Sequence, residues 1–288
     1  MTTSSSLKDN LEKSKYLIFY KIMNYPIPRN SEYFLFEKKL DDVNIDLSEL
    51  NNEFSRNEKS PFMDEYVSFI NKFSWLYKSI PFIQSIYICN SLTFNCVKND
   101  SDIDLFIITK KWSLWLARLF SLLLFSLLFV KRRWKNKRKK FCLSFYTTQD
   151  NQNLYNITLP QNDIYFTYRL AHLIPIYQES EENIYKYNKW LNSLLPNFPW
   201  NHIINIWTKK VEGKSTFKNV MEFLFWWISG RVVELTIKTI RLPIVIYKTI
   251  KLKEKWRWII VSDHMLKFHL DARKKIHLLY EIQKKRSK

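Results

Sequence analysis

Glycine is almost missing from this 288-residue chain, which has only Gly213 and Gly230. A P-loop and a Rossmann dinucleotide fingerprint each need several glycines close together where backbone meets phosphate, so both are excluded. Cysteine is sparse too, with Cys89, Cys96 and Cys142 at spacings that suit neither a disulfide framework nor a structural zinc site. That pattern fits a reduced compartment without cysteine redox chemistry. Acidic residues are in deficit, 27 against 46 Lys and Arg. The opening MTTSSSLKDNLEKSK lacks the apolar stretch of a secretory signal, so a cytoplasmic location is expected unless an internal segment inserts into a membrane.

What is present is enough for a sizeable core. Hydrophobic residues make up 46% and charged residues 25%, which excludes a wholly disordered or low-complexity chain. The surplus positive charge is concentrated in KRRWKNKRKK (131–140) and in 207–288, which holds 20 basic residues against 7 acidic ones. A polyanionic partner follows, either nucleic acid or an anionic membrane surface, with a merely solvated basic surface as the plain alternative. Trp134, Trp256 and Trp258 stand among these cations, where rings would stack on bases or anchor at a lipid interface.

The apolar pattern gives a helix over 10–24, another over about 30–40, and a third over 64–80 ending at Pro81. IQSIYIC (83–89), IDLFIIT (103–109) and FCLSFYTT (141–148) read as strands. The run 112–130, WSLWLARLFSLLLFSLLFV, reads equally as a membrane span or as a helix buried in an α/β core. Beyond 160 the pattern reads as helical, broken by Pro175, Pro196 and Pro199, and 220–250 as apolar-faced core helices.

Chemistry concentrates in 86–109. A strand runs into Asn90-Ser91, and Asp102-Ile103-Asp104 opens the next strand. Residues i and i+2 of a strand share a face, so the two carboxylates project together and call for a cation, which Mg²⁺ or Mn²⁺ would supply. A turn with a hydroxyl and free N–H groups beside such a pair suits phosphoryl transfer from an NTP.

This stretch resembles the nucleotidyltransferase core of the DNA polymerase beta superfamily, whose signature is Gly-Ser, a spacer and Asp-x-Asp on a strand. More closely, the chain resembles a group of uncharacterised bacterial and archaeal proteins with that core. Their likeness extends to the Tyr-Pro-containing N-terminal helices, Leu114-Trp-Leu-x-Arg118, Lys140-Phe-Cys-Leu, DIYFTYRLAHLIPIY (163–177) and Ser262-Asp-x-Met-Leu-Lys-Phe-His. The resemblance implies an α/β fold with a small mixed sheet and flanking helices. It implies a helical, winged-helix-like module over 1–60, the core over 61–150, and a basic helical region over 151–288. It also turns 112–130 into a helix packed on the sheet and implies transfer of an NMP to a hydroxyl acceptor. Asp102 and Asp104 would hold the metal, and Asn90, Ser91 and Arg118 would meet the nucleotide.

Two departures qualify this reading. Asn90 replaces the signature glycine; asparagine tolerates left-handed backbone, though its bulk faces the nucleotide. The strand 141–148, where a third carboxylate is expected, has none. Strict alternation sets Phe141, Leu143 and Phe145 on one face and Cys142, Ser144 and Tyr146 on the other, so Ser144 or Cys142 fills the slot, with Asp150 or Asp163 as the acids that could substitute. An active transferase, a nucleotide or metal binder without turnover, and a degenerate scaffold for nucleic acid or a protein all stay open. A membrane-associated protein is a further alternative.

Elsewhere, Gly213-Lys214-Ser215-Thr216 imitates the end of a Walker motif but lacks the earlier glycine, since position 208 is Thr208. Asp263, His264, His269 and Asp271 read as caps and packing before a metal cluster, and His172, His202 and His277 as structural. Arg118 in its apolar run needs a carboxylate or a phosphate.

Overall fold

The computed structural model describes Phe19, Tyr20, Ile22, Met23 and Tyr25, and residues 60–132, 137–160, 163–180, 183–196, 210–227, 230–252, 257–270 and 273–286. The expected helix over 30–40, His202, Trp134, Trp256 and Asp271 lie outside them.

Short β-rich runs buried on both faces become the central strands β1 (Ile83–Cys89), β2 (Ile103–Thr109) and β3 (Phe141–Thr148), at the boundaries read from sequence. β1 and β2 are antiparallel, β2 and β3 parallel. A parallel pair needs a crossover, and α3 (Leu114–Leu127) supplies it, lying against β3. The long apolar run is thus a 14-residue helix. No helix among the described residues is long and apolar enough to cross a membrane. Before the sheet, 64–80 forms two helices, α1 (Met63–Lys72) and α2 (Ser74–Tyr77), broken at Phe73.

The helical reading beyond 160 is corrected. α4 (Ile164–Ala171), α5 (Leu191–Leu194), α6 (Thr216–Trp227), α7 (Gly230–Leu252) and α8 (Arg273–Arg286) are helices, but β4 (Ile174–Gln178), β5 (Val211–Glu212), β6 (Arg257–Val261) and β7 (Met265–Leu270) join the same sheet. Its order is β5-β4-β1-β2-β3-β7-β6, seven strands drawn from residues 83–270. The mixed α/β class holds, and the sheet is larger than a small one within 61–150. Brief apolar runs such as RWIIV have no period that separates strand from helix, which is why the reading failed. Pro175 lies inside β4 and does not break it. The β1–β4 register shifts between Ile86 and Tyr87, where Pro175 pairs, and β5 reaches only Tyr177 and Gln178. A bulge beside an unpaired edge accommodates a residue without an N–H.

The main core lies between one sheet face and α1, α3, α6 and α7, and includes Ile86, Leu105, Phe141 and Tyr146. The opposite face carries Cys89, Phe106 and Phe145 beneath Phe166 and Leu170 of α4.

Candidate functional site

β1 ends in a 3₁₀ turn, Asn90–Phe94, and Asn90 has φ 68, a left-handed backbone that asparagine tolerates best after glycine. Its side chain does not obstruct the carboxylates; it serves them. Asn90 Nδ2 donates to Asp104 Oδ2 at 2.5 Å, and Asn90 Oδ1 accepts from Arg169 Nη1. Arg169 also donates to the Tyr25 hydroxyl at 3.2 Å and lies over the Tyr165 ring at 4.0 Å. A chain from Tyr25 through Arg169 and Asn90 thus orients Asp104.

Asp102, Asp104 and Cys142 come together, with one donor atom of each within 4.8 Å of the others. Register explains it, because Asp104 pairs with Cys142 across β2 and β3. Asp102 Oδ2 lies 2.6 Å from Arg132 Nη1, a charge contact without hydrogen-bond alignment, so this buried oxygen has no hydrogen-bond donor among the described residues. Burial, and next the charge of Asp104, hold the Asp102 carboxyl above its usual range, with Arg132 working against them. Two neighbouring carboxylates, one with its protonation favoured by burial and by the other's charge, fit a divalent cation with oxygen ligands.

Beside the pair, β3 offers a thiol and a hydroxyl and no carboxylate. Cys142 Sγ donates to Ser144 Oγ at 3.2 Å, so both share the site's face. Burial, followed by Asp104, pushes the Cys142 thiol well up, which leaves it protonated at neutral pH and a poor ligand for a hard ion. The expected alternation fails one residue later. The register shifts between Asp104 and Phe106, where Phe106 pairs with Phe145. Phe145 therefore joins the α4 side with Phe106, and Tyr146 the main core. This bulge reverses the expected faces of Phe145 and Tyr146.

Neither candidate replacement acid reaches the pair. Asp150 lies 3.9 Å from Lys111 Nζ and 3.7 Å from His264 Nδ1. Asp163 caps α4, accepting from Phe166 N at 3.0 Å, and lies 3.6 Å from Arg273.

Arg118 has no carboxylate partner among the described residues. Its Nη1 donates to the Leu143 carbonyl at 3.5 Å, and its guanidinium lies 4.7 Å from the Phe268 ring centre and 5.4 Å from that of Tyr146. Burial and Arg241 hold it below its ordinary basicity. It lines a cavity of about 410 Å³ shared with Lys131, Arg132, Arg241, Cys142 and Ser144, with no acid in its wall. The cavity follows from the strands: β7 pairs with β3 only through Lys267, while its pairing with β6 continues to Leu270. In the turn after β1, the half-buried Ser91 has a hydroxyl without a partner among the described residues.

Sequence reading missed Arg132, lost in a run taken as bulk charge, and Arg169, whose role needs the fold. Of the other candidates, those the structure describes have partners. Lys214 pairs with Glu179 at 3.0 Å, and Asp263 with Lys238 at 2.5 Å. His172 lies in the core between Tyr20 and Tyr168, and His277 beside Tyr280.

No family model matches the chain, and no curated protein and no solved structure matches it.

Proposed function

We propose that the chain is a nucleotidyltransferase-type protein that binds a nucleoside triphosphate through a divalent cation on Asp102 and Asp104. The observation that carries this reading is the carboxylate pair itself, held by Asn90 and Arg132 with one buried oxygen lacking a hydrogen-bond donor among the described residues. Mg²⁺ or Mn²⁺ would supply charge neutralisation for the phosphates. The acid-free cavity of Arg118, Lys131, Arg132 and Arg241 adjoins the pair through Arg132 and Cys142 and suits a polyanion of triphosphate size. Ser91, in the turn that follows β1, offers a hydroxyl.

Transfer to an acceptor also needs a base for the incoming hydroxyl. Cys142 and Ser144 stand where that base belongs, and neither is ionised at neutral pH. Binding with slow or absent turnover is therefore the reading the geometry favours. Transfer of an NMP to a hydroxyl acceptor is the second reading, favoured by the Asp-x-Asp pair on its strand.

The test is binding of a fluorescent NTP with and without Mg²⁺, for the natural chain and for Asp102→Asn/Asp104→Asn, with circular dichroism to verify folding. Mg²⁺-dependent binding that the double variant loses is expected; equal binding by both would overturn the assignment. The four α-labelled NTPs, offered with RNA, protein and small-molecule fractions, separate binding from transfer.

A further inference from the structure

α6 is built inside out. Its charged residues Lys218 and Glu222 face inward, where the fully buried Lys218 Nζ donates to the Tyr177 hydroxyl at 2.8 Å and pairs with the charge of Glu179 Oε2 at 2.8 Å. Its outward residues are Phe217, Val220, Phe223, Leu224 and Trp227, the last 76% exposed. A surface helix ordinarily shows the reverse.

α7 continues the pattern. Val233, Ile237, Leu242 and Val245 pack on the core, yet the opposite stripe is also apolar, with Val232, Leu235, Ile240, Tyr247 and Ile250 exposed. α3 packs beside α7 and ends in Leu127, Leu128 and Phe129, the last 71% exposed. These three neighbouring helices present far more apolar surface than scattered exposed side chains would.

Charge selects the occupant. The acids of these helices are turned away from solvent: Glu222 pairs with Lys110 at 2.6 Å, and Glu234 accepts from Trp115 N and Leu116 N at 2.8 Å. Arg231 and Arg241 are exposed on α7, and the basic run 131–140, in which Arg132, Arg138 and Lys139 pair with Asp102 and Glu65, begins two residues after Phe129. An anionic bilayer answers both features, taking the apolar side chains below its headgroups and the cations at their level.

We infer that the outer face of α3, α6 and α7 docks the protein peripherally on an anionic membrane. This inference stands on the apolar face and does not require the nucleotide reading, with which it shares Arg241 of the cavity wall. The experiment is co-sedimentation of the full chain with vesicles of phosphatidylcholine alone or with about one third phosphatidylglycerol. The variant is Trp227→Glu/Tyr247→Glu, whose exposed positions leave the core intact, with circular dichroism to verify folding. Partition onto the anionic vesicles is expected, falling at least about tenfold in the variant and weakening with salt. Three outcomes would overturn the inference: a chain that stays in the supernatant, equal partition onto neutral vesicles, or a folded variant that binds as before. A dimer abolished by the same substitutions, without vesicle binding, would assign the face to a second copy instead.

Discussion

Asn90 and Asp104 face each other across the ends of two adjacent strands, the amide Nδ2 donating to the carboxylate Oδ2 at 2.5 Å. Asn90 thus has two roles, accepting the left-handed backbone at φ 68 and aiming a carboxylate. Asn90→Gly removes only the second; Asn90→Ala removes both. Urea unfolding should show Asn90→Ala destabilised by about 2 kcal/mol and Asn90→Gly by less. Equal losses would mean that the backbone conformation matters little here.

Cys142→Asp tests the third position directly. A carboxylate set beside Asp102 and Asp104 adds like charge to a buried pair, so the metal-free protein should lose about 1–3 kcal/mol. Mg²⁺ should restore it, giving a larger metal-dependent rise in Tm than the natural chain shows. Transfer activity, if the variant gains it, would identify the missing base as the block to turnover.

His172 makes stability depend on pH. Its Nδ1–H donates to the Tyr168 carbonyl at 2.7 Å and its Nε2 accepts from the Tyr20 hydroxyl at 2.9 Å, an arrangement that holds a neutral ring. Burial pushes its pKa down to about 4. The unfolded chain takes up this proton below about pH 6.5, whereas the folded one resists until about 4. The contribution is therefore complete above pH 6.5 and lost as pH falls toward 4, a difference of about 3 kcal/mol. Urea unfolding at pH 7.5 and 5.0 should show this gap shrinking in His172→Gln.

Glu234 caps a helix to which it does not belong. Its two oxygens accept from Trp115 N and Leu116 N, each at 2.8 Å, at the start of α3, where Ser113 makes no cap of its own. Glu234→Ala should cost about 2 kcal/mol by leaving two buried N–H groups bare, read as a lower Tm.

The legible parts of this protein are local. Isoleucine-rich runs and polar turns delimit β1, β2 and β3, and the i, i+2 spacing brings Asp102 and Asp104 to one face. Illegible parts depend on partners distant in sequence. Nothing near Arg132 distinguishes it from its basic neighbours; only the folded turn sets it on Asp102. The faces of Phe145 and Tyr146 follow a bulge imposed by β2, and RWIIV becomes a strand because MLKF lies beside it. The apolar segment 112–130 was ambiguous for the same reason, since hydropathy does not say whether sheet or lipid covers a helix.

β3 carries a consequence for how the chain reaches its fold. Thr147 donates its hydroxyl to the carbonyl of His264, 117 residues later, beside the point where β7 completes the sheet. A chain emerging from the ribosome therefore holds β3 without its outer neighbour while α6 and α7 are made. Closure of so distant a pair is slow, and an open strand edge invites association with other chains. The same helices that stay apolar outside the finished fold are exposed during that interval, so nascent chains should depend on chaperones, or on early capture at a surface, until residue 270 is free.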